Sequence, residues 1–85
     1  MKQQKRNYKT MENQNPIIKL AEIIQAKDGR NIETNVLSKI GEDHNPTITV
    51  EIILPNGNIY TAKGSNKRIA KRLAAEKALE VEGLN

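Results

Sequence analysis

Apolar and polar positions divide the 85-residue chain into a short series of elements. Residues 1–14 (MKQQKRNYKTMENQ) have no apolar period, which predicts a disordered tail with a basic excess. Ile17, Leu20, Ala21 and Ile24 then fall at i, i+3, i+4 and i+7, the spacing of one buried helix face. Asn15 can cap this helix, and Pro16 suits its first position because the N–H that proline lacks would go unsatisfied there anyway. Lys27-Asp28-Gly29 ends it. The period then changes to two. Residues 47–54 (TITVEIIL) place Ile48, Val50, Ile52 and Leu54 on one face of a strand. A weaker strand, 35–40 (NVLSKI), precedes it, and the intervening 41–46 (GEDHNP), with no apolar residue, predicts a loop.

Pro55-Asn56-Gly57 is a hairpin signal: proline suits the first central position of a type I turn and glycine the left-handed position after it. A three-residue loop there pairs Ile52 with Tyr60, Val50 with Ala62 and Glu51 with Thr61, keeping apolar partners together. Residues 58–63 form the third strand, and Asn66 caps a last helix over about 67–82. Ala70, Ala74 and Ala78 recur every four residues along that helix and let it lie close on a sheet. The predicted fold is α+β: an α-β-β-β-α two-layer sandwich, a three-stranded antiparallel sheet with two helices on one face. No internal repeat is visible.

Composition sharpens this picture. The chain is 36% apolar with no Trp and no Phe, so its core is aliphatic and its stability on the order of a few kcal/mol. The absence of cysteine removes disulfides, thiolate metal sites and cysteine nucleophiles, and fits a reducing, intracellular, cytoplasmic setting. No apolar run reaches the roughly 18 residues of a membrane span, and the N-terminus lacks the apolar stretch of a signal peptide. Met1 followed by a polar tail favours a natural chain start, with Met11 as a second candidate.

The net charge of +4 is unevenly spread. Residues 1–15 carry four cations and one acid; residues 63–72 carry five cations (Lys63, Lys67, Arg68, Lys71, Arg72) and no acid. The segments 16–62 and 73–85 are net acidic. Cations at the start of a helix oppose its dipole, whose positive end favours acids. Lys67, Arg68 and Lys71 therefore work against the helix unless an anion sits there, and free N–H groups at the same end make a phosphate site. A polyanion partner follows.

The stretch Gly64-Ser65-Asn66-Lys67-Arg68-Ile69-Ala70-Lys71-Arg72-Leu73-Ala74-Ala75-Glu76-Lys77-Ala78-Leu79 resembles the C-terminal signature of double-stranded RNA-binding domains, Gly-x-Ser-Lys-Lys-x-Ala-Lys-x-x-Ala-Ala-x-x-Ala-Leu. Asn66 replaces the capping serine and Arg68 the second lysine. Leu20-Ala21-Glu22-Ile23-Ile24-Gln25 is similar to the first-helix motif Leu-x-Glu-x-x-Gln, and Gly41-Glu42-Asp43-His44 to the loop motif Gly-Pro-x-His without its proline. Other departures are Ile48 where many members have an aromatic, Thr34 where a tyrosine is usual, and Ala21 where a polar residue is common. The resemblance covers about residues 15–82, in a domain over 15–85, and is closest to the domain that accompanies the ribonuclease III nuclease.

The resemblance implies binding of A-form double-stranded RNA by shape, across successive minor, major and minor grooves. Lys67, Arg68 and Lys71 would grip the major-groove phosphates. Glu22, Gln25 and His44 would meet 2′-hydroxyls and base edges in the minor grooves. Ile18, Asp43, Lys63 and Arg72 are weaker candidates, and the tail adds non-specific attraction. No catalytic residue, metal site or cofactor is expected: there is no acidic cluster for two metals, no His/Cys zinc set, and no phosphate-binding glycine loop. Two other classes stay open. One is an accessory or excised RNA-binding domain of a ribonuclease III-like enzyme. The other is a protein-interaction domain of the same fold, as a homodimer or with an RNA-processing partner. Sequestration of duplexes from silencing or antiviral enzymes is a further role such a small domain can have.

Overall fold

The computed structural model describes residues 15–85; the expected tail at 1–14 lies outside the described residues. Asn15 caps the first helix, α1 (Pro16–Asp28), as its sequence dictates. Its Oδ1 accepts a hydrogen bond from the Ile17 N–H at 2.8 Å, and its carbonyl accepts one from the Lys19 N–H at 3.1 Å. Gly29 turns left-handed at φ 69° and returns its N–H to the Gln25 carbonyl at 2.8 Å, which stops the helix. Three strands follow, β1 (Glu33–Glu42), β2 (Asn45–Ile53) and β3 (Ile59–Gly64), and then the second helix, α2 (Lys67–Val81). The strands form one antiparallel sheet in the order β1-β2-β3.

The β2–β3 register is the expected one: Ile52 opposes Tyr60, Glu51 opposes Thr61 and Val50 opposes Ala62. The turn is built as its residues require. Gly57 donates its N–H to the Leu54 carbonyl at 2.9 Å, Leu54 donates to the Asn58 carbonyl at 2.9 Å, and Gly57 has φ 95°.

The first hairpin departs from expectation. β1 starts two residues earlier and runs two further than the predicted 35–40, and β2 starts at Asn45, so the predicted 41–46 loop shrinks to a turn at Asp43-His44. Pairing continues through Gly41–Pro46 and Glu42–Asn45 because the backbone ladder needs no apolar side chains. Gly41 at φ 96° supplies a conformation other residues avoid. Pro46 is tolerated because β3 ends opposite Ile48, so β2 has a single neighbour strand at that point. A bulge between Val36 and Ser38 leaves Leu37 without a partner.

Both helices cover the same face of the sheet. α2 packs on β2 and β3, and α1 packs against α2. The main core joins Leu20 and Ile24 of α1, Ile52, Leu54 and Tyr60 of the sheet, and Ala74, Ala75, Ala78 and Leu79 of α2. Ile48, Val50 and Ala70 form a smaller cluster nearer the start of α2. Ile23, absent from the predicted helix face, also packs against the core. The helix spacing is set at Gly64. A Cβ there would lie 2.7 Å from the Ala70 nitrogen and 2.8 Å from Ile69 Cγ2, so only glycine lets the β3 end and the first turn of α2 touch.

Candidate nucleic-acid interface

The start of α2 is assembled by its cap. Asn66 Oδ1 accepts the Ile69 N–H at 2.8 Å, and the Asn66 carbonyl accepts the Ala70 N–H at 3.0 Å. The first helical N–H groups, at Lys67 and Arg68, have no intrahelical acceptor by the geometry of any helix. No acid stands in this turn, so nothing on the element offsets the positive end of the dipole. Lys67 and Arg68 are exposed and Lys71 half-buried, while Ala70 and Ala74 behind them are fully covered. The charge therefore separates along the helix axis, front from rear.

Tertiary packing then adds what the sequence does not show. Asn15, Ile17 and Ile18, at the N-terminus of α1, line one open groove of about 310 Å³ together with Lys67, Arg68 and Lys71. Both helix N-termini face this groove, and α1 likewise has no acid in its first turn. Two positive dipole ends and three cations thus act on one volume, an arrangement suited to phosphate.

From the groove, the exposed flank of α1 continues through Glu22 and Gln25, which follow Ile18 at i+4 and i+7 and are solvent-facing. The β1–β2 hairpin carries the next candidates. Asp43 and His44 form its tip, and both are exposed. His44 Nε2 lies 3.0 Å from the Glu42 carboxylate. The tip is not part of the groove lining. Lys63 is exposed on β3 opposite Thr49, and Arg72 stands 4.0 Å from Glu76 on α2. Among the described residues, no group of His, Cys, Asp or Glu is placed to hold a metal ion, and no helix is long and apolar enough to cross a membrane.

The family model described as double-stranded RNA binding motif matches residues 16–82, from the first residue of α1 to the cap of α2. The chain belongs to this family. Double-stranded RNA is accordingly the ligand class of the domain. Its curated relatives include three proteins named Ribonuclease 3. The one from Ehrlichia chaffeensis is 39% identical over 56 residues, 66% of this chain and 25% of the relative. The one from Bartonella henselae is 41% identical over 49 residues, 58% and 21%. The one from Bartonella bacilliformis is 35% identical over 65 residues, 76% and 28%. The domain thus matches about a quarter of each relative's length.

One polar assembly of this double-stranded RNA-binding domain escaped the sequence reading. Glu82, the C-cap of α2, receives hydrogen bonds from the Tyr60 hydroxyl, from Asn58 Nδ2 at 2.6 Å and from Asn56 Nδ2 at 3.2 Å. The Tyr60 hydrogen bond, then that of Asn58, holds the Glu82 carboxyl below its ordinary value. The same bond to Glu82, then burial, raises the Tyr60 phenol. This latch ties the rear of α2 to the β2–β3 hairpin, as does Lys77, whose Nζ donates to the Thr61 carbonyl at 2.7 Å. Its only sequence trace was a polar Asn-Gly-Asn turn and a glutamate just past the helix, residues that usually face water.

Proposed function

We propose that the domain clasps one face of an A-form RNA duplex without doing chemistry on it. Lys67, Arg68 and Lys71 hold the phosphates flanking the narrow major groove, which side chains cannot enter to read bases. Ile18, Glu22 and Gln25 lie along the adjoining minor groove, where a carboxylate and an amide can accept from and donate to 2′-hydroxyls and base edges. His44 and Asp43, at the hairpin tip, meet the next minor groove, and Lys63 and Arg72 add long-range attraction. The observation that carries this reading is the shared groove, which unites the start of α1 with the three cations of α2. Affinity then comes from phosphates, and preference for RNA from contacts to the 2′-OH that DNA lacks.

The relatives favour a second, compatible reading, in which the domain is the RNA-binding portion of, or a partner to, a ribonuclease 3-type enzyme. Its ligand and its cysteine-free sequence suit action in the cytoplasm. The test is a titration of RNA and DNA duplexes of matched sequence, about 16 base pairs or longer, at moderate salt. Strong preference for RNA, with little dependence on its sequence, is expected. Equal affinity for the two would defeat the reading.

A further inference from the structure

The bulge in β1 decides which face of the sheet receives Lys39, the single cation of that strand. Val36 opposes Val50, which is fully buried and packs with Ala70 of α2. Strict alternation from Val36 would put Ser38 on this helix-covered face and Lys39 on the outer one. The extra residue, Leu37, reverses them: Ser38 opposes Thr49, and Lys39 opposes the buried Ile48. Directly opposed residues of an antiparallel pair share a face, so Lys39 stands on the side of the sheet that carries α1 and α2.

Two rows cross the sheet at this level. Ser38, Thr49 and Lys63 make the outer row, and Lys39, Ile48 and Gly64 the row on the helix side. The second row is the seat of α2. Its first turn lies directly on Gly64, where a Cβ would come within 2.7 Å of the Ala70 nitrogen, and Ala70 packs with Ile48. Lys39 occupies the far end of the row, two strand spacings or roughly 10 Å from Gly64. The helices leave β1 largely uncovered: Val36 is 47% exposed, and Lys39 is exposed too. Among the described residues no ion pair engages Lys39. From it the hairpin runs on to its tip at Asp43-His44, about 13 Å further at 3.3 Å per residue.

We propose that Lys39 is a further phosphate contact, made to the backbone strand that separates the major groove at α2 from the minor groove at the hairpin tip; this rests on the proposed mode of RNA binding. In that mode the start of α2 faces the major groove and Asp43-His44 the next minor groove, so one phosphate strand passes over the stretch between them. Lys39 is the cation beside that stretch, on the face that carries both elements. The contact reads no base and adds affinity alike on every duplex sequence. A lysine on an exposed edge strand also guards against edge-to-edge pairing. That role makes no demand on which face the side chain takes, whereas a phosphate contact requires the face that the bulge selects.

The experiment uses the whole chain and compares four variants. Lys39→Gln removes the charge. Ser38→Lys combined with Lys39→Ser keeps the net charge but moves it to the outer row. Lys39→Arg keeps both charge and face, and Lys67→Ala is the reference for the α2 phosphate grip. Each is titrated with RNA duplexes of two sequences across a salt series, with urea melts alongside. Lys39→Gln should lower the slope of log affinity against log salt by about one unit. Its affinity loss should then be about three- to fourfold greater at 50 mM than at 200 mM salt, alike on both sequences. The double variant should bind as Lys39→Gln does, Lys39→Arg should keep the wild-type slope, and the urea midpoints should all match wild type at position 39. A wild-type slope in Lys39→Gln, or wild-type binding by the double variant, would overturn this inference; with Lys67→Ala still lowering the slope, the proposed function stands. An unchanged slope in both Lys39→Gln and Lys67→Ala would overturn the two together.

Discussion

On the proposed RNA-binding surface, a lysine and a glutamate must act through different physics, and salt separates them. Lys67 and Lys71 bring charge to a groove already polarised by two helix N-termini. We expect Lys67→Ala or Lys71→Ala each to weaken binding alike on all duplex sequences and to lower the salt slope by about one unit. Circular dichroism should show α2 intact or firmer, since a cation has left the positive dipole end. Glu22 carries the wrong charge for a polyanion, so in the proposed mode it helps only through hydrogen bonds. Glu22→Ala, Gln25→Ala and His44→Ala should each lose on the order of 1 kcal/mol, about twice that for Glu22, with the slope nearly unchanged and the RNA preference reduced. Tighter binding by Glu22→Ala on an unaltered fold would remove the α1 flank from the interface. At His44, the Glu42 carboxylate would compete with the proposed RNA contact. With both side chains about four-fifths exposed, such a pair is worth under about 1 kcal/mol, too little to block contact with RNA.

At the scale of elements, α2 depends on what precedes it. Gly64 allows β3 to run into the first turn of the helix with no gap. Gly64→Ala should push that turn outward and destabilise the domain by about 1–3 kcal/mol. Because the displaced turn holds the N–H groups proposed to face phosphate, RNA affinity should fall even where the fold remains populated. Urea melts paired with RNA titrations check both, and an unmoved urea midpoint would show that the turn relaxes freely. The cap can be tested by chemistry alone. Asn66→Ala should cost about 1 kcal/mol through loss of the bond to the Ile69 N–H, whereas Asn66→Ser, a comparably good cap, should change stability by only a few tenths.

For the whole molecule, the Tyr60–Glu82 latch makes stability depend on pH at both extremes. Glu82 holds its charge to lower pH when folded than its ordinary 4.5. Its contribution is therefore complete above that value and is lost as pH falls through the depressed one. Tyr60 is raised above its ordinary 10.0, so its contribution is complete below that value and disappears as pH rises through the raised one. Glu82→Gln should flatten both limbs of a plot of melting temperature against pH. A wild-type acid limb identical to that of the variant would mean that the latch carries no stability.

The order of elements, the register of the second hairpin and the basic front of α2 were all legible in the chain, because each is written locally. Ile48, Val50, Ile52 and Leu54 alternate, Pro55-Asn56-Gly57 dictates its own turn, and Asn15 and Asn66 cap the residues next to them. The first strand carries only a weak pattern for an equally local reason. The bulge at Leu37 reverses which residues face the helices, so Val36 opposes Val50 while Lys39 opposes Ile48, and the period of two breaks inside the strand. Its full length came from backbone pairing with β2, which leaves no mark on side-chain pattern. By itself the sequence determined which residues could bury, which could turn and which could meet an anion. Only the tertiary structure decided that Ile18 and Lys67, 49 positions apart, share one groove, and that Glu82 returns to Tyr60. Contacts over such separations depend on how two helices lie on one sheet, a geometry fixed by close packing of the whole core rather than by any one segment.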